Sequence, residues 1–222
     1  MIYNYLRDIS NTIYVDLISC TPDIEKHIAF CARVSNPNNQ ENEKFKGLIK
    51  YCLREGHWSV FEQGYITMEI TTSRAISRQL LRHRSFTFQE FSQRYSIVDL
   101  NRMFIFGARE QDAINRQNST DTCDEEVKEW FKQSQIENFK KCLQNYMEAI
   151  SRGIAKEQAR CLLPEGNTLT TVYMTGSVRS WIHFVSTRMG NGSQKEISDI
   201  ANQCFELLKI TCPTVFQNLI IE

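Results

Sequence analysis

Arg82-His83-Arg84-Ser85-Phe86-Thr87-Phe88-Gln89-Glu90-Phe91-Ser92-Gln93-Arg94 holds the densest chemistry in this chain. Three guanidinium groups and one imidazole flank an aromatic, hydroxyl-bearing segment that carries a single carboxylate. Guanidinium is a planar fork that meets phosphate oxygens in pairs and keeps its charge when buried. Three forks within thirteen residues, with Thr87 and Ser92 between them, predict a cradle for a phosphorylated small molecule. The pattern Arg-His-Arg, two residues, Ser or Thr, four residues, Ser, one residue, Arg specifies six side chains in thirteen positions. Such a pattern is far more specific than a lone glycine motif.

Around this stretch the composition is that of an ordinary globular protein. At 222 residues the chain can build one sizeable core or at most two small ones. Apolar residues make up 41% and charged ones 23%. Lys plus Arg and Asp plus Glu are 26 each, so no global field attracts nucleic acid or an anionic membrane. The basic cluster is a local device on a neutral molecule. No apolar run approaches a membrane span, and residues 1–8 lack the basic-then-apolar layout of a signal peptide, so the expected location is cytoplasmic. Eight scattered cysteines form no Cys-x-x-Cys pair, and the four histidines do not pair with them at ligand spacing. Structural thiols are expected, with no disulfide framework and no metal site.

Periodicity predicts a strand over 12–20, then a helix from an N-cap at Thr21, with Pro22 at its first position, to about residue 33. A turn-rich break at 35–39 precedes a helix from about residue 43, ended by Gly56. A strand is predicted over 65–71. Ser73 then caps a helix running toward Arg84, with Arg74, Arg78 and Arg82 spaced by four on one face. No acid alternates with these arginines in the sequence, which favours an anion beside them. Strands near 92–98 and 103–106, a polar excursion over 110–122 and a long helix over 125–151 follow. A short helix with Glu157, Arg160 and Cys161, a strand over 168–174, helices over 178–188 and 193–209, and a final short helix from Pro213 complete the chain. Helices alternating irregularly with few strands predict a single α+β domain over 1–222. No Gly-x-Gly-x-x-Gly follows a strand, so a Rossmann unit is not indicated.

The thirteen-residue pattern resembles the signature of flavin-dependent thymidylate synthases. Other blocks fall in that family's order and cover most of the chain. They are Ala32-Arg33-Val34-Ser35, Gly56-His57 with Ser59 and Phe61-Glu62, Arg78-Gln79, Ala159-Arg160-Cys161-Leu162-Leu163-Pro164, and Arg179-Ser180 through Arg188. The resemblance implies a mainly antiparallel sheet flanked by helices, in a homotetramer whose active sites are shared between subunits. It implies reductive methylation of dUMP to dTMP, with 5,10-methylenetetrahydrofolate and NADPH as co-substrates and FAD as cofactor.

By the same resemblance, dUMP meets Gln79, Leu80, Leu81, Arg82, Glu90, Phe91, Ser92, Gln93, Arg94, Arg160 and Arg188. Arg188 is the catalytic residue, polarising the uracil ring. FAD meets Ser59, Arg82, His83, Arg84, Glu90, Ser177, Val178, Arg179 and His183. Two places depart from the family pattern. His183 stands where asparagine is common, and Met189-Gly190-Asn191-Gly192-Ser193-Gln194 replaces the usual His-Ala-Gln run. The rival reading is a nucleic-acid-binding module in which Phe86, Phe88 and Phe91 stack bases between Arg82, Arg84 and Arg94. Neutral net charge argues against that rival.

Overall fold

Thr21 is tied to the start of a strand. Its N–H donates to the Tyr65 carbonyl at 2.9 Å, and its Oγ1 accepts from the Tyr65 N–H at 3.0 Å. The computed structural model describes residues 8–10, 13–99, 101–121, 124–190 and 192–220. In chain order its elements are β1 (Asp8–Ser10), β2 (Tyr14–Cys20), α1 (Ile24–Ala32), α2 (Lys46–Arg54), β3 (Tyr65–Ser73), α3 (Arg74–Leu80) and β4 (Thr87–Glu90). They continue with β5 (Arg102–Phe104), β6 (Arg109–Gln111), β7 (Ser119–Asp121), α4 (Glu125–Ser151), α5 (Lys156–Ala159) and β8 (Leu169–Ser177). Helices α6 (Val178–Arg188), α7 (Lys195–Thr211) and α8 (Pro213–Phe216) complete the order. Short 3-10 turns lie at Pro37–Asn39, Trp58–Glu62 and Arg160–Leu162. This is an α+β fold.

The main sheet has the order β2-β3-β8-β4. Thr67 and Thr175 share a hydroxyl hydrogen bond at 2.9 Å, and Thr71 and Thr171 another at 3.0 Å. Rising numbers on β3 meet falling numbers on β8, so the two strands are antiparallel. Strand β4 pairs with β8 in the same sense, through Thr87 Oγ1 to the Thr175 carbonyl and Phe91 N–H to the Thr171 carbonyl. Strands β1 and β5 form a parallel pair.

Two units divide the chain. The first draws on residues up to 13, on 71–80 and on 90–172; the second draws on 14–70, 81–89 and 173 onward. In the first, α4 turns Ile136, Phe139, Leu143 and Tyr146 inward onto Val98, Met103, Ala159 and Leu163. Their spacing of three and four is one helical stripe. Asp124 caps that helix, accepting from the N–H groups of Glu126 and Val127. In the second unit, α7 packs on β2, α6 and α8, and buries Ile197, Ile200, Cys204 and Leu208. There the Trp181 indole donates to the Ile66 carbonyl at 3.1 Å and is fully buried.

Four expectations about local structure change. Helix α1 starts at Ile24, after Asp23 at φ 46°, because Thr21 is spent on Tyr65 and cannot cap it. Ser73 does cap α3, accepting from the Ile76 N–H at 3.2 Å, but the helix ends at Leu80. Arg74 and Arg78 therefore share a helical face and Arg82 lies beyond it, where the chain turns with the Phe86 N–H on the His83 carbonyl. The strand expected over 92–98 falls earlier, at β4, because the Ser92 carbonyl takes the N–H groups of Tyr95 and Ser96 in a turn. Within the polar excursion, β6 and β7 pair antiparallel, Arg109 opposite Asp121 and Gln111 opposite Ser119. Thr12, Thr122 and Asn191, which the sequence reading touches, lie outside the described residues.

Candidate active site

The signature folds so that its aromatic centre is core and its histidine is held. Phe86 is buried, with its ring edge-on to Trp181 at 4.8 Å between centroids. Glycine at 176 permits this, because a β-carbon there would collide with the Phe86 ring. Phe86 is thus unavailable for stacking on a base, which removes the central aromatic of the rival nucleic-acid reading. His83 is also buried, 5.0 Å from the Phe184 ring and 6.4 Å from His183 between centroids.

His83 Nε2 accepts a hydrogen bond from Arg188 Nε at 2.9 Å. Burial first, then the positive charge of Arg188 and the neighbouring His183, lowers the His83 imidazole from 6.5 to about 4. At neutral pH it is therefore an uncharged acceptor, with its proton on Nδ1. Burial and the nearby Arg82 also lower the Arg188 value, though a guanidinium stays charged at neutral pH. The pair brings the first part of the signature against the last residue of α6, 105 positions away in sequence.

At the start of α6, Ser177 caps the helix, accepting from the Ser180 N–H at 3.2 Å. Its hydroxyl donates to Glu62 at 2.6 Å, and Arg179 pairs with the same carboxylate at 3.1 Å. The Ser180 hydroxyl donates to the Ser85 carbonyl at 3.2 Å, joining α6 to the signature loop. These groups border a cavity of about 640 Å³ lined by Trp58, Glu62, Ser85, Arg179, Ser180 and His183, among others. Val178 is buried, whereas Ser59, Arg82 and Arg84 are exposed. Of the residues expected to meet FAD, then, Arg179 and His183 line the cavity, His83 packs against His183, and Ser177 orders the helix that bears them.

The first unit holds a second group. Glu90 accepts from Ser77 at 2.9 Å and from Thr170 at 3.0 Å, with Arg74 Nη1 at 3.6 Å. Arg78 pairs with Glu165 at 2.9 Å, and the exposed Arg94 pairs with Glu157 at 3.2 Å. Two of the three arginines read as a row without acids, Arg74 and Arg78, thus have acidic partners within the chain, 16 and 87 residues away, and Arg94 has one 63 residues away. For Arg74 and Arg78 the anion expected beside the row is a carboxylate of the chain itself. A cavity of about 270 Å³ opens here, lined by Arg74, Gln93, Arg160, Cys161 and Glu165, among others. Gln93 Nε2 is buried and makes no hydrogen bond within the chain, and the buried Arg74 Nη1 makes none either, its nearest acid being Glu90 at 3.6 Å. A buried donor without a hydrogen-bond acceptor is costly, so two on residues that line one cavity suit an oxyanion.

Of the residues expected to meet dUMP, Gln93 and Arg160 line this cavity. Leu80 is buried, and Phe91, Ser92 and Arg94 are exposed. Gln79 and Leu81 are half-buried. Cys161, in the 3-10 turn at Arg160–Leu162, is exposed and lines this cavity with Arg74, Arg78 and Arg160. Sequence reasoning did not assign Arg74, Glu62, Trp58 or Glu165 to a site. The Arg74–Arg78 spacing was the one signal available for the first of them.

The fold is α+β, and its two cavities gather guanidinium, imidazole and hydroxyl groups, donors that suit anionic small molecules. Residues 16–214 match the family described as thymidylate synthase complementing protein. The chain is 53% identical over 188 residues to the flavin-dependent thymidylate synthase of a Synechocystis species, covering 85% of this chain and 86% of that one. It is 47% identical over 196 residues to a protein of Paramecium bursaria Chlorella virus 1 named probable flavin-dependent thymidylate synthase, covering 88% and 90%. A crystal structure of a UMP/dUMP methylase, PolB from Streptomyces cacaoi, bound with 5-Br dUMP, has the same fold, with a TM-score of 0.83 over 95% of both chains at 24% identity. The chain belongs to the flavin-dependent thymidylate synthase family. Among the described residues no helix is long and apolar enough to cross a membrane.

Proposed function

We propose that this chain methylates dUMP to dTMP reductively, with 5,10-methylenetetrahydrofolate as carbon donor, NADPH as reductant and FAD as cofactor. The observation that carries the reading is the Arg188–His83 hydrogen bond, which presents a fixed guanidinium beside the signature histidine. A pyrimidine C5 that attacks an electrophilic carbon needs negative charge withdrawn through its N3 and carbonyl edge. Arg188, with Nε engaged by His83, keeps its terminal nitrogens as the donors for that edge.

The cavity bordered by Trp58, Arg179 and His183 fits FAD by the chemistry of its donors. Guanidinium, imidazole and hydroxyl groups suit a pyrophosphate, and an exposed indole suits a flat ring. Bound there, FAD supplies hydride received from NADPH. His83, Arg179 and His183 would hold it, with Ser59, Arg82, Arg84, Ser177 and Val178 of the same unit around them.

The phosphate of dUMP enters the cavity lined by Arg160 and Gln93, and Arg94 turns to it from Glu157. Gln79, Leu80, Leu81, Arg82, Glu90, Phe91 and Ser92 border the nucleotide. Residues 1–222 act as one catalytic domain, consistent with the fact that neither unit is a continuous stretch of chain. Four copies assemble, which the exposed apolar side chains Tyr14, Leu17, Ile18, Tyr65 and Tyr173 support, since such surface favours burial. We place the enzyme in the cytoplasm.

The visible spectrum of purified protein, followed by dTMP formation from the three substrates, tests this. A yellow protein that makes dTMP only with FAD is expected. A colourless protein that stays inactive after FAD is added overturns it.

A further inference from the structure

The 270 Å³ cavity of the first unit already contains a carboxylate. Glu165 lines it together with Arg74, Arg78, Arg160 and Gln93, and its Oε1 accepts from Arg78 Nη2 at 2.9 Å. A main-chain hydrogen bond ties its backbone there, the Glu165 carbonyl accepting the Ala75 N–H at 3.2 Å at the start of α3. The hydrogen bond from Arg78 lowers the Glu165 carboxyl below its usual range, partial burial opposes this, and Arg74 and Arg160 lower it further. The side chain is therefore an anion at neutral pH and feels three of the arginines a phosphate would need. Meanwhile Gln93 Nε2 makes no hydrogen bond, and neither does Arg74 Nη1, which has Glu90 rather than Glu165 as its nearest acid, at 3.6 Å.

We propose that Glu165 is an internal stand-in for the substrate's phosphate: it balances the arginine cavity of the empty enzyme, competes with the incoming phosphomonoester, and so sets nucleotide affinity. Arg74, outside the signature, is the buried guanidinium that receives the phosphate in its place. The inference rests on the assignment of this cavity to the dUMP phosphate. A carboxylate that stays beside a bound dianion repels it, and one that swings out gives up its bond to Arg78. Either way, binding is weaker than the arginines alone would give. Glu165 and Arg78 are both about half exposed, so solvent screens the effect to a modest size.

The test is calorimetric titration of the FAD-loaded chain with dUMP, deoxyuridine and inorganic phosphate, using wild type, Glu165→Gln, Glu165→Ala and Arg160→Ala. Both Glu165 variants should bind dUMP and inorganic phosphate about three- to tenfold more tightly, with deoxyuridine unchanged. Thermal melts run alongside establish that each variant is folded. If Arg160→Ala weakens dUMP and deoxyuridine equally, the phosphate assignment itself fails. If Arg160→Ala weakens dUMP selectively but both Glu165 variants bind dUMP as wild type does or worse, the stand-in role alone is overturned.

Discussion

Arg188 Nε donates to His83 Nε2 at 2.9 Å, which makes a residue of the signature the orienting partner of the arginine that ends α6. A neutral imidazole accepts this bond without adding charge, and it fixes which guanidinium nitrogens remain for a ligand.

Arg188→Ala should therefore keep FAD and still pass electrons from NADPH, yet lose most turnover with dUMP. Removing one preorganised donor of this kind costs about 10²–10³ in rate. Flavin reduction and dTMP formation measured separately decide the matter, and undiminished turnover would exclude the role.

The same pair predicts a pH dependence of stability. The folded value of His83, about 4, lies below its unfolded value of 6.5, so the unfolded chain binds more protons between these limits. The stabilisation from His83 is fully present above pH 6.5 and is lost as pH falls toward 4. Urea unfolding across that window should show wild type losing more stability than His83→Gln. Parallel curves would mean that His83 protonates freely in the native state.

Arg94→Ala should weaken dUMP more than deoxyuridine, because only the nucleotide carries the proposed phosphate partner. A charge-assisted hydrogen bond contributes about 1.5–3 kcal/mol. Part of that is offset here, because Arg94 must leave Glu157 to make it. About tenfold selective loss is expected by calorimetry. Equal loss for both ligands would move Arg94 out of the phosphate site.

Cys161→Ala should retain most dTMP formation although the thiol is exposed beside Arg160. The proposed chemistry withdraws electrons through Arg188 and uses no thiolate addition to the ring. A folded variant that binds dUMP and makes no dTMP would require a nucleophilic cysteine.

Gly176→Ala tests the packing beneath the site. Its methyl group would collide with the Phe86 ring, and overpacking of this sort costs about 1–3 kcal/mol. A lower melting temperature is expected, with part of the loss recovered by Phe86→Leu in the same chain. An unchanged melting temperature would show that this part of the core is loosely packed.

The sequence alone carried the signature with its spacing, and that was enough for the family. It also carried the elements whose signals are local: the extent of α4, the Ser73 cap of α3, and the helix over 178–188. These are legible because caps and helical stripes span only a few residues. Only the tertiary structure decided the partners of the arginines. Glu90 reaches Arg74, Glu165 reaches Arg78 and Glu157 reaches Arg94 across 16, 87 and 63 positions, and sequence spacing says nothing about such distances. The end of α3 was equally hidden. Phe86 must reach Trp181 beside Gly176, so the chain turns after Leu80 and carries Arg82 off the helical row where its spacing had placed it. Long-range packing overrode a local pattern there, because burying that ring outweighs one more turn of helix.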